Sequence, residues 1–163
     1  MDSRTTDPAR ELLRHTVATL AYRAGKALRD APASFATFAV SPGSRTPGQI
    51  VAHMADLFDW ALSMAQGAQK WHDSPTQSWD ADRERFFRTL SAFDDYLAGA
   101  GPLGTTVERL FQGPVADALT HTGQIAMLRR IAGAPVRGEN YAKAEISPGR
   151  VGAEQAPPKV EFG

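Results

Sequence analysis

The chain has 163 residues, 42% apolar and 22% charged, and its 18 basic and 18 acidic residues cancel to a formal net charge of zero. That balance excludes the broad positive field with which proteins hold nucleic acid or an anionic membrane. The length suits a single domain with a substantial core, and the absence of cysteine excludes disulfides, thiolate metal sites and a thiol nucleophile of the protein's own.

Arginines and acids run through the first thirty residues, so no apolar leader is expected there. No apolar run approaches the roughly 20 residues of a membrane span. The cytoplasm is the expected compartment.

Apolar spacing predicts four helices. The first runs from about Asp7 to Arg29, with a stripe of Leu13, Val17, Leu20, Ala24 and Leu28. Asp7 and Pro8 form its cap and first turn. Arg10, Arg14, Arg23 and Lys26 are expected on its solvated side. Residues 31–45 form a connector in which Phe35, Phe38 and Val40 should tuck onto the bundle. The second helix starts at Thr46, where Thr46-Pro47-Gly48-Gln49 reads as a capping box. Its stripe is Ile50, His53, Met54, Leu57, Trp60, Ala61 and Met64, and Asp56 and Asp59 fall on the other side. A broken polar stretch follows, from Gly67 to Asp80.

The third helix spans about Ala81 to Ala98 along Phe86, Leu90, Phe93 and Leu97, and ends at Gly99, Gly101 and Pro102. A short helical piece is expected over Thr105–Phe111. The fourth helix should begin at Gly113-Pro114 and end before Gly133, with Arg129 and Arg130 in its last turn. The tail, residues 134–163, is rich in proline and glycine and is expected to wrap the surface or fray. The fold expected is an all-α four-helix bundle with its core in residues 8–133, an architecture that builds metal sites from inward side chains on facing helices.

The candidate site is His53, Asp117 and His121. Asp117 and His121 stand four apart and so share a helix face, and His53 lies on the apolar stripe of its own helix. Two imidazoles and a carboxylate suit zinc, nickel, iron or manganese, and three protein ligands leave a position open for water or substrate. Gln124, one turn beyond His121, could orient a ligand or a bound water. The plainer readings are a satisfied core histidine, an Asp117 placed by the dipole of a first helical turn, and a His–Asp hydrogen bond without metal. Of the other histidines, His15 is expected to be exposed and His72 to lie in a loop. Trp60, Trp71 and Trp79 read as core or interface fillers, with a place in the lining of a substrate cleft as the alternative for one of them. No phosphate loop and no nucleophile-elbow serine is present.

The segments TPGQIVAHMADLFDWAL and ADALTHTGQIAMLRRIAGAPV, with the tail around Pro135–Tyr141 and Gly149–Gly152, resemble the DinB-like superfamily of metal-binding four-helix proteins. The resemblance covers about residues 8–152. The family pattern places one histidine on the second helix and a His-x-x-x-His pair on the last. His53 and His121 match it, and Asp117 replaces the first histidine of the pair, which hardens the site toward oxygen-preferring metals. The resemblance implies zinc or nickel at the site, a homodimer, a small-molecule substrate and a low-molecular-weight thiol as cosubstrate. A metal-dependent thiol S-transferase is the activity expected from it. A non-catalytic stress-response binding module and a metal-dependent hydrolase are the alternatives.

Overall fold

A computed structural model describes residues 7–163. Four long helical segments form a bundle, as the apolar spacing requires. Helix α1 covers Pro8–Leu28, α2 Pro47–Ala65 and α3 Trp79–Ala98. The fourth is composite: α4 (Val107–Leu110), a π-helical turn (Phe111–Val115) and α5 (Ala116–Ile131). Both α1 and α2 pack on α3 and α5, which closes the bundle.

The helix starts follow local chemistry. The Asp7 carboxylate accepts the Ala9 amide at 3.0 Å. At α2 the capping box is complete: Gln49 N–H donates to Thr46 Oγ1 at 3.3 Å, and Thr46 N–H donates to Gln49 Oε1 at 2.9 Å. Helix α3 begins at Trp79, two residues before the expected start, because Ser78 Oγ accepts the Ala81 amide and makes Ser78 the cap.

The core is aromatic at its centre. Phe58 of α2 meets Phe86 and Phe93 of α3 at ring separations of 6.1 and 5.8 Å, and all three are fully buried. Each such ring contributes about 1.5–3 kcal/mol through burial. The predicted stripes of α1 and α3 are buried throughout. In α2 burial extends well beyond its stripe, to Val51, Ala52, Ala55, Asp56 and Phe58, because this helix is covered by α3, by the composite fourth helix and by a 3-10 turn at Ala33–Thr37. That turn seats Phe35, but Val40 is 50% exposed and does not join the bundle.

Three of the four cations assigned to the solvated side of α1 are drawn inward by partners on other elements. Arg10 donates to the carbonyls of Tyr96, Leu97 and Gly101, capping the end of α3. Arg14 forms a two-bond pair with Asp94, and that hydrogen bonding holds its guanidinium above its ordinary pKa despite burial. Lys26 bonds Glu139 and Glu161 of the tail at 2.7 and 2.9 Å.

The tail wraps rather than frays. It forms a two-residue antiparallel ribbon, β1 (Gly138–Glu139) with β2 (Glu161–Phe162), and buries Val151 and Ala156. Tyr22 Oη donates to Glu139 at 2.5 Å. Arg129, buried near the end of α5, donates to Ala134 O just beyond its own helix and to the carbonyls of Ala27 and Arg29, so it caps the end of α1. Where α2 ends, Gly104 N–H bonds Ala65 O at 2.7 Å; a Cβ on Gly104 would lie 2.3 Å from Gly67, so this crossing admits only glycine. Among the described residues, no helix is long and apolar enough to cross a membrane.

Candidate metal centre

His53, Asp117 and His121 converge where α2 faces α5. Asp117 Oδ2 lies 3.3 Å from His53 Nε2 and 3.4 Å from His121 Nε2, and the two imidazole rings stand edge to face at 4.9 Å. His121 is 8% exposed, while the side chains of His53 and Asp117 are 18% and 46% exposed. The site is therefore walled on one side and open on the other.

The π-helical turn precedes Asp117 by two residues. It adds a residue to one turn and resets the register between α4, which buries Leu110, and α5, which presents Asp117, His121 and Ile125. The expected helix start at Gly113-Pro114 is overturned. Val115 and Ala116 already have helical dihedrals, the cap is Thr106, and Pro114 sits inside the helix. Proline is accommodated because the π turn already breaks the normal i→i−4 ladder. Asp117 falls in the first turn of α5, as expected, but that turn runs on from the π turn without a break in helical dihedrals.

The donor set fits a divalent ion. Ligand atoms about 2.1 Å from one ion at tetrahedral angles stand roughly 3.4 Å from each other, which the two shorter separations match, and all three candidate atoms lie within 4.8 Å of one another. The second ring nitrogen of His121 strengthens the fit. Gln124 Oε1 lies 2.7 Å from Nδ1; as a carbonyl oxygen it accepts, so Nδ1 carries the proton. Nε2 of a neutral His121 then points a lone pair at a carboxylate oxygen. Two acceptors at that distance repel unless a cation lies between them, either a proton or a metal ion.

Tryptophans roof His53. Trp71, from the segment between α2 and α3, packs at 5.6 Å from the His53 ring, and Trp60 packs edge-on against Trp71 at 5.8 Å. Gly113 of the π turn leaves space for the Trp60 ring, which would be 3.4 Å from a Cβ there. Of the three tryptophans, only Trp79 is a buried core filler.

A second cluster, Asp56, Asp59 and His72, was not read from the sequence. Asp56, expected on the polar side of α2, is 2% exposed. Its carboxylate accepts Ser74 N–H and Oγ–H and the Arg85 guanidinium, each at 2.8 Å, and lies 3.1 Å from His72 Nε2; Asp59 lies 3.3 Å from the same nitrogen. The three donors are close enough to share an ion, but Arg85 already supplies positive charge there and also bonds Ala52 O. The cluster is a clasp that ties the Trp71–Ser74 segment to α2 and α3. An acid with apolar neighbours on both sides in VAHMADLFDW was the available clue, since a buried carboxylate needs partners. His15 is exposed as expected.

No family model, curated protein or solved structure matches the chain. Its class is thus defined by the molecule itself: an all-α bundle with a convergent two-histidine, one-aspartate cluster.

Proposed function

We propose that this chain is a DinB-like metal-dependent protein of the cytoplasm that acts on a small molecule, most simply as a thiol S-transferase, with His53, Asp117 and His121 as the ligands. The observation that carries this reading is the meeting of both Nε2 atoms on one Asp117 oxygen at 3.3 and 3.4 Å, with His121 oriented from behind by Gln124. The order of these residues along the second and last long helices is also what resembles the DinB-like pattern. A zinc or nickel ion held there would act as a Lewis acid and lower the pKa of a bound thiol or water. The chain's own residues supply the seat: Gln124 fixes the His121 tautomer, Trp71 shields His53, and the half-exposed Asp117 edge leaves an approach for a reactant. With no cysteine in the chain, any thiol nucleophile comes from outside.

Elemental analysis of freshly purified protein tests the site. About one divalent ion per chain is expected, lost in a folded His121→Ala variant. Metal-loaded protein is then offered an electrophile such as monochlorobimane with several cellular thiols. Turnover that needs both thiol and metal supports the transferase. Turnover of esters without thiol points instead to a hydrolase, and silence across the panel to a binding module. Full metal content in His121→Ala would overturn the ligand assignment.

A further inference from the structure

We propose that the hollow beside His121 binds a small organic monoanion with an apolar body, its carboxylate on Arg45 and its body directed along α5 toward the candidate metal centre. The hollow measures about 710 Å³, and Arg45, His121, Ile50, Met127 and Leu128 are among the residues that line it. That size and that mixture, mostly apolar with a few converging polar groups, are those of small-molecule sites.

Two observations point to a ligand. The first is charge. Arg45 is exposed and joins no ion pair among the described residues. No carboxylate lines this hollow. The neighbouring hollow, which also reaches Arg45, has Asp56 and Asp73 in its wall and suits an anion less well. A guanidinium fork recognises a carboxylate through two parallel N–H···O bonds, and a single cation balances a single negative charge.

The second observation is Gly123. Glycine in a helix interior carries an entropic cost and is kept where packing demands it. Gly123 is exposed on the wall of the hollow, and a Cβ there would meet no atom within 4 Å, so the wall at this point is open and free for a ligand to lie against. Met127 is 58% exposed along the same wall, apolar surface that an apolar ligand would cover. The role of this ligand as a substrate rests on the metal reading above; its binding does not.

Calorimetric titration of the full chain with octanoate tests the proposal, with octan-1-ol as the uncharged control. Octanoate should bind at least about tenfold more tightly than the alcohol. Arg45→Ala should remove about that factor and leave octanol unchanged, and Arg45→Lys should keep part of it. Gly123→Leu should abolish binding of both probes while raising Tm by about 2–4 °C, so lost binding cannot be ascribed to unfolding. Octanoate affinity should survive chelator treatment. Equal affinity for the two probes, no binding of either, an Arg45→Ala variant that binds like the parent, or loss of octanoate binding on metal removal would each overturn it. The last would place the carboxylate on the ion rather than on Arg45. If the purified protein holds no metal, the reading of the centre fails while the titration still decides this one.

Discussion

His121 engages its two ring nitrogens in opposite directions, one to Gln124 and one to Asp117. Gln124→Ala should therefore leave the fold intact yet weaken zinc binding by about tenfold, the low end for an outer partner because Gln124 is exposed. Competition with a chromophoric chelator measures this. Asp117→His would create a His-x-x-x-His pair like that of the DinB-like pattern and should shift preference from manganese toward nickel and zinc. An unchanged metal ranking in that variant would show that Asp117 is not a ligand. Asp56 behaves differently, because it is buried and its partners include the Arg85 guanidinium. Asp56→Ala leaves the half-buried Arg85 with only the more distant Asp59 carboxylate, 3.6 Å away, and should cost about 3 kcal/mol in urea denaturation.

Among the elements, the composite fourth helix explains why some features were readable in the sequence and others were not. Apolar periodicity reports which face of a helix is covered, so the stripes of α1 and α3 and the position of His53 followed from spacing. Gly113-Pro114 looks like a helix start, since proline is a first-turn residue and a breaker elsewhere. Nothing local announces a π turn, whose existence depends on α4 and α5 each packing in its own register. The half-buried cations of α1 were hidden for a similar reason. Arg14 and Lys26 have polar-face spacing, but their partners lie 80 and 113 residues away in sequence. The Asp117–His121 pairing was readable because it is local, and its meeting with His53 because both lie on inward faces. The Asp56 clasp was not, because Ser74 and Arg85 come from other elements.

Over the molecule as a whole, the tail is fastened to α1 by titratable groups. Burial, then the hydrogen bond to Glu139, pushes the Tyr22 hydroxyl above its ordinary value of 10.0. Burial works against the Lys26 ammonium, but hydrogen bonds to Glu139 and Glu161 outweigh it and leave it raised above 10.5. Groups raised on folding contribute stability that is full below their unfolded values and is lost as pH rises through the folded ones. The Glu161 carboxyl, drawn down by Lys26, acts with the opposite sign: its contribution is present above its ordinary 4.5 and fades as pH falls. Alkaline titration followed at 295 nm should show Tyr22 ionising above its ordinary value of 10.0, with loss of the tail following. A Tyr22→Phe variant whose alkaline unfolding matches the parent's would contradict the fastening.

The edge-on contact of Trp71 with His53 gives the protein a built-in optical gauge. With a metal ion on His53, as proposed, the adjoining indole would exchange energy with that ion. Paramagnetic nickel or cobalt should dim the emission, filled-shell zinc should change mainly its wavelength, and Trp71→Phe should erase both responses. Occupancy could then be followed in a cuvette, without labels or crystals.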